Sequence, residues 1–325
     1  MAMLSRVAEH LYWMARYLER AENTARLITV NTNLILDLPK GIRPSWESLI
    51  AITGSHDLYF ERHTGSNESQ IIRFLIGDTR NSGSILSSLR SARENARTIR
   101  DIIPREAWEQ TNELYRRANE RVTDGLSVRR RFAYLKEIIL GVQQLAGIAA
   151  GTMSHDAGYE FYRLGCNLER ADMTTRIIDV RCQNYQAEQA EALKAFENIL
   201  WMSVLKSLTA YQMYRRHRQA AVRRGDVVDF LLRDEAFPRS TRYCILEMED
   251  CLQHLPRSEQ PLKVLAPLDR LIKECSPDKL SQKDLHHFID ELQICLGDVH
   301  AAISTCYFEA PMAAEQGQVT QSQAA

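Results

Sequence analysis

Residues Leu11 to Val30 read LYWMARYLERAENTARLITV, and residues Phe161 to Val180 read FYRLGCNLERADMTTRIIDV. The two stretches lie 150 positions apart, and nine of their twenty positions are identical: Tyr12/Tyr162, Leu18/Leu168, Glu19/Glu169, Arg20/Arg170, Ala21/Ala171, Thr24/Thr174, Arg26/Arg176, Ile28/Ile178 and Val30/Val180. Neither contains proline. Apolar residues recur in both at three-and-four spacing, the mark of a helix with one face turned to a core.

Two further blocks recur in the same order. AFENILWM from Ala195 matches SWESLIAI from Ser45, still 150 residues apart, and Phe230-Leu231 with Asp234 and Ser240 matches Phe74-Leu75 with Asp78 and Ser84 at an offset of 156. Three blocks in register imply a tandem duplication of a helical unit of about 150 residues. The expected organisation is a first helical repeat at 1–153, a second at 154–308, and a disordered Gln/Ala-rich tail at 309–325.

Helices are expected from Leu4 to Leu38, stopped by Pro39 and Pro44, and from Ser45 to about Arg62. Another is expected to end near Gly77. More follow from Ser84 to Asp101, from Pro104 through Leu114, and from Arg129 to Met153. No alternating strand pattern bounded by hairpin turns occurs, and neither does a glycine-rich phosphate loop, a dinucleotide fingerprint or a nucleophile elbow. The fold class is all-α, a multi-helix bundle.

Composition narrows the function classes. Apolar and charged fractions of 45% and 26% are those of a soluble globular chain, and a net charge of −1 gives no global attraction to nucleic acid or anionic membrane. No apolar run approaches a membrane span of roughly 20 residues, and the N-terminus has no signal-peptide pattern. Seven cysteines without a Cys-x-x-Cys pair suit reduced, mostly buried thiols, so a cytoplasmic protein without metal or other cofactor is expected.

On the repeated helix, Leu11, Met14, Leu18, Ala21 and Ala25 share one face, and Tyr12, Arg16, Glu19, Asn23 and Arg26 the opposite one. Both copies keep a heptad stripe on that second face: Tyr12, Glu19, Arg26 and Tyr162, Glu169, Arg176. Arg20 and Arg170 stand at its edge. Three readings stay open. The face is solvated and held by pairs such as Glu22–Arg26 and Asp172–Arg176, each worth about 0.2–0.5 kcal/mol. Or it is a buried Arg–Glu network joining the halves, which demands full hydrogen bonding. Or it is a polar cleft for a ligand, with Glu19 and Glu169 as acid/base candidates and the arginines as carboxylate clamps. In that last case Arg20→Ala and Arg170→Ala are expected to leave folding stability nearly intact.

The first and second repeated helices, SLRSARENARTIRD with Trp108 close behind, and FPRSTRYC together resemble the bacterial Alpha-E family (domain of unknown function 403), across residues 3 to 308. That resemblance implies a mainly helical protein with a recurring Glu-Arg motif. It also implies partnership with a circularly permuted ATP-grasp protein, often with a transglutaminase-like protease. The implied role is an accessory or substrate-binding protein in ATP-dependent amide or peptide ligation, acting on a peptide or amino-acid substrate. The alternatives are an enzyme in its own right and a purely structural scaffold. Cys166 stands where relatives commonly carry a basic residue. The resemblance also draws Arg93, Asn95 and Arg97 into the candidate substrate-binding set, with Tyr12, Arg16, Arg20, Asn23, Arg26, Tyr162, Arg170 and Arg176.

Weaker candidates take plainer readings. Arg239 and Ser240 open a helix, and an N-cap accounts for Ser240. Ser154-His155-Asp156 reads as a turn, and His287 with Glu291 supplies too few ligands for a metal. The arginine runs at 129–131 and 215–218 meet no recognisable nucleic-acid module.

Overall fold

The computed structural model describes residues 5–38, 45–182, 196–218 and 221–309. Among them every α or β element is an α-helix. The first half runs α1 (Ser5–Asp37), α2 (Glu47–Ile52), α3 (His56–Phe60), α4 (Glu68–Gly77), α5 (Ile85–Thr98), α6 (Arg105–Glu120), α7 (Val122–Leu126) and α8 (Arg131–Thr152). The second half runs α9 (Ala157–Cys182), α10 (Glu197–Ser207), α11 (Tyr211–Arg218), α12 (Arg224–Arg233), α13 (Thr241–Gln253), α14 (Glu259–Glu274), a 3-10 turn (Pro277–Lys279) and α15 (Gln282–Tyr307). No described helix is long and apolar enough to cross a membrane.

The two repeated stretches form the middle of α1 and α9, which cross at the centre of the molecule. α1 is buried on both faces: Leu11, Leu18 and Ile28 on the apolar side, Tyr12, Glu19 and Asn23 on the polar side. A helix at a protein surface leaves its charged face to water. Here α9 brings its own polar face against it. The approach is tightest at Gly165, where a Cβ would come within 2.2 Å of the Tyr12 carbonyl oxygen. Glycine alone lets the two backbones meet so closely.

Packing around the two central helices follows one plan. α1 lies against α5 and α8, and α9 against α13 and α15. The α5–α6 and α6–α8 contacts are matched by α13–α14 and α14–α15. The first short helix of each half crosses over, α2 packing on α9 and α10 on α1. One apolar core consequently runs through both halves.

Local chemistry sets the boundaries. The Ser84 hydroxyl accepts from the Ser87 amide at 3.2 Å, and Ser240 accepts from Tyr243 at 3.1 Å, both N-caps. The helix expected from Ser45 to Arg62 is instead two helices. Gly54 separates them at φ +63°, in the left-handed region that a side chain resists. The proline stop at 39–44, Ala195 at the start of the second block, and positions 310–325 of the tail lie outside the described residues.

Candidate functional site

Where α1 and α9 cross, the two Glu-Arg pairs exchange partners. Arg20 donates from Nε to Glu169 Oε1 at 2.7 Å and from Nη2 to Oε2 at 3.0 Å, a bidentate pair. Reciprocally, Arg170 donates from Nε to Glu19 Oε1 at 2.7 Å. Residue i meets j while j meets i, the relation a two-fold axis produces. Each carboxylate then takes a further arginine. Arg16 Nε reaches Glu169 Oε2 at 2.8 Å, and Arg239 Nη1 reaches Glu19 Oε2 at 3.2 Å. Arg239 also binds Asn23 Oδ1 at 3.0 Å and Glu22 Oε2 at 3.2 Å. Thus Glu19 is satisfied wholly from the second half, and Glu169 wholly from the first.

This arrangement decides what the two carboxylates can do. Burial alone would raise the pKa of Glu169, but Arg20 and Arg16 more than offset it and bring it down to about 2. Glu19 is likewise depressed, burial being outweighed by Arg170 and Arg239. Both stay ionised, with their oxygens taken by guanidinium donors. A general base works best with a pKa near the operating pH, so the acid/base role expected as one alternative finds no support in this geometry. Tyr12 is pushed up to about 12 by burial, with its hydroxyl 2.8 Å from His300 Nδ1. Tyr162 is raised well above its ordinary value by burial, and Cys166 beside it is pushed up to about 12 by burial. Burial thus disfavours the anionic form of each of these groups.

Arg20→Ala and Arg170→Ala therefore take a different expectation from the one the sequence suggested. Each arginine holds a buried carboxylate, so its removal leaves that charge short of one of its two arginines, and stability falls.

The pairing is symmetric only in part. The register equivalent of Arg16 is Cys166, which has no charge to offer; Arg239 supplies the missing guanidinium from the N-terminus of α13. Counting back from the two N-cap serines, Arg239 corresponds to Gly83 in the first half. There, a cavity of about 250 Å³ opens where no side chain extends. Its charged lining is Arg20, Arg176, Glu169 and Asp172, and Thr24, Gly54 and Met173 are among the residues of its wall. Of the repeated polar residues, Arg20, Glu169 and Arg176 reach this cavity, whereas Glu19, Arg26 and Arg170 lie on the filled side.

The same ion pair records the difference. Arg26–Glu22 side chains are 11% and 3% exposed, but Arg176–Asp172 are 34% and 22% exposed. A tighter, apolar crevice of about 60 Å³ lies between Leu27, Leu34, Leu49, Ile177 and Leu200, without any of the crossed ion pairs.

The other expected site residues lie elsewhere. Arg93 bonds Asn112 Oδ1 at 2.7 Å and sits by Trp108 and Tyr115. Arg97 pairs with Glu94 at 2.9 Å on the outer surface of α5, and Asn95 bonds His10 at 3.0 Å. None lines the cavity. Asp156 accepts from the Gly158 amide at 2.8 Å, turning the chain into α9, and His155 stacks on Tyr159. His286, rather than His287, joins Asp179 and Asp290 in the three-residue grouping with metal-ligand spacing found among the described residues. Its Nδ1 bonds Asp179 and its Nε2 lies 3.5 Å from Asp290, so both ring nitrogens are already engaged.

Gly83 and His300 escaped the sequence reading, Thr24 entered it only as a repeated position, and Arg239 entered only as a weaker candidate beside the N-cap Ser240. The pairing of Arg16 with Cys166, a charge lost between copies, was the one signal that a distant arginine was needed.

The model of the Alpha-E family, described as a predicted alpha-helical domain with a conserved ER motif, matches residues 3–308. Uncharacterized proteins of Mycobacterium bovis and Mycobacterium tuberculosis are 23% identical over 324 residues. Those alignments cover 92% of this chain but 35% of each relative, so the chain spans about a third of their length. No solved structure matches.

Proposed function

The chain belongs to the Alpha-E family, and from that premise we propose that it is a non-catalytic, substrate-holding partner of an ATP-grasp ligase in amide or peptide bond formation. The observation that carries this reading is the cavity beside Gly83. It presents guanidinium groups and a carboxylate to solvent, while the buried carboxylates that might have done acid/base work are locked in ion pairs. Such a lining suits holding a peptide or amino acid and leaves the chemistry to nucleotide bound elsewhere. The circularly permuted ATP-grasp protein is the proposed partner, with a transglutaminase-like protease as a second, and the cytoplasm is the proposed compartment. The greater length of the mycobacterial relatives is what fusion to a larger partner would produce.

The test is reconstitution with a circularly permuted ATP-grasp protein from the same organism. The two should co-purify, and ADP release with ligated product should need both chains. A ligase equally active alone, or turnover by this chain without it, would overturn the reading.

A further inference from the structure

We propose that the cavity beside Gly83 is a binding site for a free α-amino acid, present once per chain because Arg239 fills the equivalent place in the second half. This deepens the substrate-holding reading, on which its biological use rests, although the binding itself belongs to this chain alone.

The molecule shows both versions of the site. In the second half, Arg239 lays its guanidinium against Glu19, Glu22 and Asn23, and Thr174 Oγ1 donates to the Arg239 carbonyl oxygen at 2.8 Å. In the first half Gly83 stands in the place of Arg239, and the Thr24 hydroxyl does not make the corresponding bond to a backbone carbonyl. The Thr24 hydroxyl, in a residue 1% exposed, lines the cavity and makes no hydrogen bond among the described residues. A buried hydroxyl without a partner is costly, so the site is left incomplete by its own chain.

Charge selects the ligand. Six arginines (Arg16, Arg20, Arg26, Arg170, Arg176 and Arg239) face four carboxylates (Glu19, Glu22, Glu169 and Asp172) across the crossing. The cavity's own charged lining balances, Arg20 and Arg176 against Glu169 and Asp172, which suits a ligand that carries one charge of each sign. Arg20 spends Nε and Nη2 on Glu169, and Arg176 spends Nε on Asp172. Among the described residues, Arg20 Nη1 and both terminal nitrogens of Arg176 therefore remain as donors for a carboxylate, the group that paired guanidinium edges bind best. Asp172 Oδ1 accepts no hydrogen bond among the described residues and is the acceptor for an ammonium group. One carboxylate and one ammonium on the same small molecule describe an amino acid. Ile52, Leu58 and Met173 give its side chain an apolar wall.

Gly83 also provides the test. A Cβ there would meet only Asn81 Oδ1, at 3.3 Å, and the backbone is outside the left-handed region, so Gly83→Arg can be accommodated and would recreate the filled state. The purified chain is dialysed against an equimolar mixture of the twenty standard amino acids, and the retained species are quantified by mass spectrometry. Wild type should retain at least one amino acid at no more than one per chain. Gly83→Arg and Arg176→Gln, both checked for wild-type circular dichroism, should each lower retention tenfold or more, and so should N-acetylation of the bound amino acid. No retention by wild type, two molecules per chain, undiminished binding by folded Gly83→Arg or, should that variant not fold, by Arg176→Gln, or equal binding of the N-acetyl form would overturn the proposal. Amino-acid binding with no effect of Gly83→Arg on reconstituted ligation would instead sink the ligase partnership and leave the site standing.

Discussion

Replacing Glu169 by glutamine tests the crossed network at its most buried point. The Glu169 side chain is 2% exposed and receives three bonds from Arg16 and Arg20, which are themselves 11% and 25% exposed. Glutamine keeps the shape and removes the charge, so two guanidinium groups lose their counterion inside the protein. Its pKa falls from the ordinary 4.5 to about 2. At about 1.4 kcal/mol per pH unit, that is about 3 kcal/mol in favour of the ionised, folded form. Breaking a buried ion pair from one side costs about 3–5 kcal/mol by general experience, in agreement. A loss of about 3–4 kcal/mol is a large share of a typical stability of about 5–15 kcal/mol, yet leaves the variant folded at room temperature. Urea melts of both proteins at pH 7 give the difference directly. The pH dependence gives a second reading. A depressed carboxylate contributes fully above 4.5 and loses its contribution as pH falls through about 2, so the gap between wild type and Glu169→Gln should close over that window. A difference under about 1 kcal/mol at pH 7, or a gap unchanged between pH 5 and pH 2.5, would refute the claim that these charges are held away from water.

Gly165→Ala places a Cβ 2.2 Å from the Tyr12 carbonyl oxygen and should push α1 and α9 apart; a wild-type thermal melt would show that the crossing can yield. Gly147→Ala, in the exposed middle of α8 with nothing within 4 Å of its new Cβ, should instead stabilise by about 0.5–1 kcal/mol in the same melt. His300 is held down to about 4 by burial and by Arg16, with Glu169 opposing. Its contribution is whole above the ordinary 6.5 and is lost as pH falls through about 4, so wild type should lose more melting temperature than His300→Gln between pH 7 and pH 4.5. Parallel curves would remove His300 from the acid response.

Much of the architecture was legible because periodicity survives without knowledge of partners. Leu11, Leu18 and Ile28 point to a core whatever lies opposite. The polar face was harder, because charge on a helix reads as contact with water unless the neighbour is known. Glu19 and Arg20 carry no mark saying that Arg170 and Glu169 await them; only the register between copies hints at it. Arg93 and Arg97 looked equivalent in type to the central arginines, but α5 turns Leu89, Ala92 and Ala96 inward and leaves the arginines outside the cavity. The helix break at Gly54 was hidden by a continuous apolar pattern, which records faces and not backbone sign.

Cross-pairing also explains why a costly buried network sits in the middle of this fold. Neither half can satisfy its own central carboxylate: Glu19 depends on Arg170 and Arg239, Glu169 on Arg16 and Arg20. A half alone would leave its central glutamate without the arginines it pairs with, so the ion pairs fix the register in which the halves meet. The departures from symmetry preserve that balance. Arg16 opposite Cys166, and Arg239 opposite Gly83, leave each glutamate with two arginines, so the charge count at the crossing is unchanged on either side. What changes is volume. Supplying the second arginine from α1 rather than from the N-terminus of α13 clears the space beside Gly83 and exposes Arg176 and Asp172 to it. The cavity thus lies where the two halves differ in sequence while their electrostatics remain matched, which lets one side bind and the other hold the structure.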